Sequence, residues 1–439
     1  MGKANYFQQT LLFFIIITFV LIFIFNLETP SKDKSIPTPR GPPPVCPSVI
    51  SDQAITPLLN TKHFLVSAFM DQRVKGFDIR IIGMFHRDSI QKLHCLFCCV
   101  GHLGETTPTT VLVHSDHFGF PFATTDVMCQ IPQNCTATHV TLLTQPSAEN
   151  ISNLTWIPIR NRKNIKDEEK MNFTVCISSL FGGYNNVLQF AQTLEMYRLL
   201  GINRVVVYNT SCGPDLDRLL QSYAQEGFVE IVLWPIEKHM NPSKGWLFSQ
   251  HGGDIHYYGQ NTKLNECLYR AMENSRYVLL HDIDQIVMPY QHNDLMSLMD
   301  TLQQQHPNVG VFRIESHSFS KMRFEPSGRF HLPQWSRVPG VNILEHTWRE
   351  EPNWEEYHPY KMVIQPRMVE QTSVHEVIKH FGQEYKVPPQ VCRIIHICSG
   401  GTIPLELLHE DKRLWAFHEK LIPNVDRVLK RVEMLSSKN

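Results

Sequence analysis

The sequence predicts an α/β protein: a Rossmann-like, parallel-sheet domain over residues 169–435, behind a small β-rich domain (49–168) and an N-terminal transmembrane helix. Three observations predict it. From Met171 onward, short apolar runs alternate with stretches of helical periodicity. Before that, β-branched and aromatic runs are broken by Gly, Pro and Asn, and near the start lies one long apolar segment without charge. A chain of 439 residues is long enough for two or three domains, one with a full α/β core. A formal net charge of −1, with 19% charged residues, creates no field that would suggest a nucleic-acid partner.

Residues 1–10 read as a short cytoplasmic tail, and 11–27 as a transmembrane anchor built on Leu11–Phe25, LLFFIIITFVLIFIF. The segment covers roughly 17–20 positions, the short end of a spanning helix. A cleaved signal peptide is the competing reading; its core would be long, and no small-x-small cleavage site follows Asn26. Lys3 faces Lys32, Lys34 and Arg40 across the segment, so charge leaves the orientation open. A short span suits a thin, Golgi-type bilayer. Residues 28–48, rich in proline, form a stalk that cannot pack a core.

Sequons at Asn134, Asn150, Asn153, Asn172 and Asn209 point to a lumenal life, a type II Golgi membrane protein. In that compartment most of the 11 cysteines pair, and the odd number leaves at least one over. Cys95, Cys98 and Cys99 resemble half of a zinc site, but no second half follows, so disulfides are the better reading. Within 49–168, Val74–Phe85, TTVLVHS and HVTLLT read as strands of a small antiparallel domain, and no catalytic constellation is legible there.

From Asn172 the texture changes. Phe173–Ser179 is a buried-strand pattern ending at Phe181-Gly182-Gly183, and Asn185–Leu200 has an apolar helical face stopped by Gly201. Arg204–Tyr208, a helix over Asp215–Glu226, a strand over Val229–Trp234, a helix over Asn261–Asn274 and the strand Tyr277–His281 follow. Such alternation implies parallel strands with right-handed crossovers, and ligands bind beyond their carboxyl ends.

Asp282-Ile283-Asp284 stands at such an end. Two carboxylates one residue apart there suit Mg²⁺ or Mn²⁺, which would bridge diphosphate oxygens as a Lewis acid. A second Asp-x-Asp, Asp215-Leu216-Asp217, follows Gly213-Pro214 and opens an amphipathic helix, where N-terminal capping explains it. Asp282 and Asp284 instead sit between two apolar runs, where carboxylates are costly without a cation or hydrogen bonds.

The FGGYNN…LEMYRLLGINRVVVYN run, the Gln260…Asn265-Glu266-Cys267-Leu268 helix, LLHDIDQIVMP, Lys361-Met362-Val363-Ile364, Pro366-Arg367 and Val374-His375 together resemble glycosyltransferase family 92. The resemblance covers roughly residues 170 to 400. It implies a GT-A fold, a UDP-sugar donor (UDP-galactose first), Mn²⁺, inversion at the anomeric carbon and a glycoprotein glycan as acceptor. One departure stands out: family members usually continue Asp-x-Asp with Glu, and this chain has Gln285.

On that resemblance, Asp284 is the first metal ligand, with Asp282 on the ribose or the metal and His375 as third ligand; His396 competes for that place. Lys361 and Arg367 would hold diphosphate. Ser179, Phe181 and Asn209 approach the nucleotide, a role at odds with a glycan on Asn209. Gln260 and Asn265 would bind the sugar. Inversion needs a carboxylate base, for which Asp254, Glu345 and Glu370 are available, Glu345 and Asp254 first. Trp335, Trp348 and Trp354 are either acceptor platforms or core. A homodimer is the expected assembly. The alternative from another class is a membrane-anchored lumenal glycan-binding protein that has lost catalysis, with Gln285 as its support. A sulfotransferase would need a Lys and Ser/Thr in the Phe181–Tyr184 loop, which has neither.

Overall fold

The computed structural model describes Cys46 and residues 50–435, apart from 101, 148–152, 163–170, 356–359 and 399–402. The expected tail, the anchor at 11–27, most of the stalk and Asn150 lie outside the described residues. Cys46–Asn439 forms one compact unit.

Its first part is built of β1 (Thr56–Pro57), β2 (Phe64–Met70), β3 (Ile79–His86), β4 (His94–Cys99), β5 (His102–Val113), β6 (Phe122–Cys129), β7 (Ala137–Leu143) and β8 (Ile157–Arg160). The strand order is β1-β2-β3-β6-β5-β4-β7-β8, and β8 returns to pair with β2, closing seven strands into a barrel. Alternate residues fill the interior, among them Ile79, Ile81, Cys95, Phe97, Val127 and Val140. The opposite face of β2, β3 and β6 is buried too, because Val66, Ile82, Met84 and Phe122 pack with Leu264, Cys267 and Leu268 of a helix from the second part. Cys46–Cys98, Cys95–Cys129 and Cys99–Cys135 are disulfides, so none of the three clustered cysteines is left for zinc.

The second part begins with β9 (Met171–Leu180), β10 (Arg204–Asn209), β11 (Val229–Leu233) and β12 (Ser275–His281), parallel neighbours in the order β11-β10-β9-β12. Between them run α1 (Val187–Leu199), α2 (Pro214–Gln225), the short α3 (Phe248–His251) and α4 (Gln260–Ala271). Cys176–Cys267 bolts β9 to α4. Beyond α5 (Leu295–Gln305) the pattern changes. β13 (Gln285–Pro289), β14 (Val309–Ser320), β15 (Trp348–Arg349), β16 (Tyr360–Ile364), β19 (Gln383–Lys386), β20 (Cys392–Cys398) and β21 (His409–Glu410) extend this into an eleven-stranded mixed sheet. β17 (Val369–Thr372) and β18 (Val377–His380) form a separate hairpin, and α6 (His418–Arg431) packs on α1 and α2.

This corrects the expected fold class, an α/β, Rossmann-like GT-A architecture; the transmembrane helix expected ahead of it falls outside the described residues. Among the described residues strands outnumber helices, 21 strands against six α-helices, with a closed seven-stranded barrel at the front. Among the described residues no helix is long and apolar enough to cross a membrane. The reason is visible in the pattern: strand–helix alternation ends at His281, and the expectation carried it on to 435. After that point β16 pairs antiparallel to β12 and β14 antiparallel to β16.

Candidate functional site

At the carboxyl end of β9 the chain turns through Gly182 and Gly183, both at φ +68, a conformation glycine adopts without a steric cost. Ser179 Oγ, Asn209 Oδ1 and Thr210 Oγ1, at the ends of β9 and β10, are buried with no protein partner. Buried polar atoms cost roughly 1–3 kcal/mol each when unpaired, so three at adjacent strand ends mark a place for a polar ligand. Asn209 is half-buried there and its Nδ2 reaches Cys212 Sγ at 3.4 Å, whereas Asn134, Asn153 and Asn172 are exposed, as sequons should be.

β12 ends at His281, and the chain crosses to β13 through Asp282-Ile283-Asp284. Ile283 turns into the core, leaving the two carboxylates on the crevice. Asp282 is held from both sides: Oδ2 lies 2.9 Å from Lys361 Nζ, and Oδ1 accepts from Gln260 Nε2 at 3.2 Å. Burial would raise its carboxyl, but Lys361 outweighs burial and brings it down to about 2. Asp284 Oδ2 lies 3.2 Å from His396 Nε2. Burial opposes charge on His396, yet Asp284 and Cys398 push its pKa up to about 10. Carboxylate oxygen and imidazole nitrogen meeting at one point fit a divalent cation, which would displace the imidazole proton.

Gln285 explains the departure from Asp-x-Asp-Glu. It is buried at the start of β13, and its Oε1 accepts the Asp282 backbone N–H at 3.0 Å. An amide oxygen performs that hydrogen bond as a carboxylate would.

A cavity of about 590 Å³ opens beside these groups. Its lining includes Asp282, Gln285, Lys361 and His396, together with Asp116, Phe118, Trp246 and Glu376. Asp116 and Phe118 come from the barrel, on the loop between β5 and β6, so the part of the chain that showed no catalytic constellation contributes to the site. Burial first, then the charge of Glu376, pushes the Asp116 carboxyl up to about 6. The missed signal is an aromatic next to a carboxylate, Asp116-His117-Phe118-Gly119, in a loop with φ of +51 at Phe118 and +83 at Gly119.

Other predicted residues land elsewhere. His375 lines the cavity, but its Nδ1 lies 3.1 Å from Tyr360 O and its ring lies on Trp246; His396 is the imidazole beside Asp284. Arg367 is exposed and paired with Glu273. Asn265 is fully engaged as a clamp, donating to Asn261 O and Thr372 O and accepting from Thr372 N. Phe181 stacks on Tyr258 at 4.2 Å. Asp254 braces Asn241 N at 2.7 Å, Glu345 pairs with His331 at 2.9 Å, and Glu370 pairs with Arg80 and Lys379. None of these three carboxylates lines the cavity. Trp335 is core, bonded to Asp426, while Trp354 is exposed against Tyr360. Asp215 bonds the side chains of Asn185 and Arg218 in the first turn of α2, whose N-cap is Gly213 with no side-chain cap bond, so the expected capping bond is not made.

Glu315, His317 and Glu351 also bring ligand atoms within 4.8 Å of one another. Strand alternation puts Glu315 and His317 on the face of β14 opposite Ser316 and Ser318, which line the cavity. Arg349 pairs with Glu351, and Lys386 lies 3.9 Å from Glu315, so these carboxylates are compensated by cations of the chain itself.

Parallel strand ends converge here on paired carboxylates, an imidazole and a lysine, groups whose chemistry fits a divalent cation and a phosphorylated ligand. The chain belongs to glycosyltransferase family 92, whose sequence pattern matches residues 171–415. It is 23% identical over 242 residues to the glycosyltransferase family 92 protein F13G3.3 of Caenorhabditis elegans, covering 53% of this chain and 43% of that one. To the beta-1,4-galactosyltransferase galt-1 of the same organism it is 19% identical over 276 residues, 61% of this chain and 56% of the other. The chain thus spans about half the length of the curated relatives it matches. An apo UDP-glucose pyrophosphorylase shares 9% identity at a TM-score of 0.22, covering 60% of this chain and 99% of the other, a likeness that carries no argument.

Proposed function

We propose that this chain is a metal-dependent, inverting hexosyltransferase that moves galactose from UDP-galactose to glycans of glycoproteins in the Golgi lumen. The observation that carries the reading is Asp282 and Asp284 at the carboxyl end of β12, beside Lys361 and His396, within the family's matched span. The family supports sugar transfer, and the name of one relative supports galactose. Exposed sequons and four disulfides support a lumenal setting.

Mn²⁺ or Mg²⁺ held by Asp284 and His396 would supply Lewis-acid neutralisation of the diphosphate. Lys361 fixes Asp282, and Gln260 holds the same carboxylate from α4, so the acidic turn is preorganised. Ser179, Asn209 and Thr210 offer unpaired polar atoms to the nucleotide. The base that takes the acceptor's proton is drawn from Asp116 and Glu376, carboxylates that line the same cavity as Asp282.

The test is UDP release from UDP-galactose by the purified chain with glycoprotein glycans, with and without Mn²⁺, for wild type and Asp284→Asn. Metal-dependent release that falls by about 10²-fold or more in the variant is expected. No release from any common UDP-sugar by folded wild-type protein would sink the enzyme and leave a glycan-binding protein.

A further inference from the structure

The part of the cavity lined by Asp116, Phe118, Trp246 and Glu376 is aromatic and acidic, and Asp116 and Phe118 lie outside the family's matched residues. Trp246 is 37% exposed, unusual for a tryptophan in a folded interior, and it is followed by exposed Leu247 and Phe248. Phe118 meets Trp246 edge-on at 5.6 Å, and Tyr257 stacks on Trp246 at 5.9 Å. Tyr257 in turn sets its ring perpendicular to Phe181 at 5.2 Å, at the end of β9 where the unpaired polar atoms lie.

These rings are held at a cost. Phe118 has φ +51, Tyr257 +38 and Tyr258 +58, in the left-handed region that bulky residues avoid. Each such residue is costly and persists only where its surroundings force it, which in proteins clusters at ligand clamps. Phe118 lines the cavity itself, and Tyr257 backs the ring of Trp246, so the strained backbone holds ring faces toward the cavity lining.

The charges identify what those faces take. Asp116 and Glu376 line the cavity together, and two cationic groups of the cavity lining, Lys361 and His396, are already engaged by Asp282 and Asp284. A diphosphate set against this part of the lining would meet two carboxylates and no free cation, so the nucleotide is directed away from it. A neutral sugar suits it: apolar ring C–H faces lie on aromatic rings while hydroxyls bond to carboxylate oxygens.

We propose that the barrel loop at Asp116 and Phe118, together with Trp246, forms the subsite for the terminal neutral hexose of the acceptor glycan. The inference rests on the sugar-transfer reading and makes the barrel a working part of the site.

The experiment compares wild type, Trp246→Ala, Trp246→Phe and Phe118→Ala. Three quantities are measured: KM for the acceptor glycan, UDP-galactose hydrolysis without acceptor, and calorimetric Kd for UDP in Mn²⁺. Truncation to Ala should raise acceptor KM about tenfold, with Phe at position 246 recovering most of the loss. Hydrolysis and the Kd for UDP should stay within twofold, which also shows that the variants are folded. An unchanged acceptor KM overturns the subsite. So does a UDP Kd weakened by the same factor, since the rings would then hold the nucleobase. If wild type releases no UDP from any donor, the sugar-transfer reading fails on its own, and direct glycan binding by wild type and Trp246→Ala still decides the subsite: binding lost in the variant supports it, and equal binding refutes it.

Discussion

Replacing Arg80 by Met tests what holds the barrel to the rest of the molecule. Arg80, on β3, is fully buried and reaches three carboxylates: Asp71 at 3.0 Å, Asp126 and, at 2.9 Å, Glu370 of β17. Removing one partner of a buried ion pair costs roughly 3–5 kcal/mol, because the charge left behind is uncompensated. Here each carboxylate keeps another partner: Arg73 for Asp71, His114 for Asp126, Lys379 for Glu370. The lower end applies, about 3 kcal/mol. A unit of roughly 390 residues unfolds with about 0.8 kcal/mol/K of entropy, so the apparent midpoint should fall by about 4 °C in scanning calorimetry at pH 7. Arg80→Lys keeps the charge but not the fork and should lose about half as much. The pH dependence gives a second reading. Burial alone would raise Asp126, but His114 and Arg80 outweigh it and bring its carboxyl down to about 2, below the ordinary 3.8. A depressed carboxyl contributes stability that is complete above about pH 4 and is lost as pH falls toward 2. The gap between wild type and variant should therefore be flat from pH 7 to 5 and narrow below about 4. A loss under about 1 kcal/mol at pH 7, or a gap that widens on acidification, would refute the reasoning.

Two further substitutions separate roles the sequence left open. Asn265→Ala removes three hydrogen bonds, two of which bind α4 to β17, and strands the Thr372 backbone groups, so stability should fall by about 1–3 kcal/mol while KM for the donor stays within twofold. A donor KM raised tenfold without loss of stability would restore Asn265 to the donor site. Gln285→Glu keeps the acceptor for the Asp282 N–H, so transfer measured by UDP release should remain within about fivefold of wild type. A gain of 10²-fold would mean that the amide attenuates this enzyme.

What was legible in the sequence follows from range. β9 to β12 and α1, α2 and α4 each carry their own periodicity, cap or stop, and the structure places them within a residue or two of the expected bounds for most. The acidic turn was legible for the same reason, because a strand pattern and two carboxylates are contiguous. What failed depends on contacts between distant residues. Barrel closure needs Ala68 to meet Ile159, a pairing that no local pattern encodes. β2 and β3 are buried on both faces because α4 covers one of them, so the alternation that would have signalled a half-solvated sheet is absent. His396 and His375 could not be ranked, since β20 is aligned beside β13 only by their antiparallel register, Gln285 opposite His396.

The same long-range geometry gives the barrel its place in the chemistry. Arg80 on β3 holds Glu370, and Arg73 donates to the carbonyls of Pro366 and Val369, so both barrel arginines grip the β17–β18 hairpin. The turn of that hairpin, Ser373 to Glu376, is cavity wall, as is the β5–β6 loop with Asp116 and Phe118. Asn261 Nδ2, on α4, donates to Asp116 O at 2.7 Å, one residue from Gln260, whose amide holds Asp282. One helix therefore sets the distance between the acidic turn and the Asp116 loop. A change of barrel orientation would move the Asp116–Phe118 wall and the Ser373–Glu376 turn together, while Asp284 and His396, fixed by β13 and β20, would keep their spacing. On the proposed reading, substitution at Phe118 would alter acceptor selection and leave the Asp284–His396 pair in place, whereas substitution at Asp116 would also remove a candidate base.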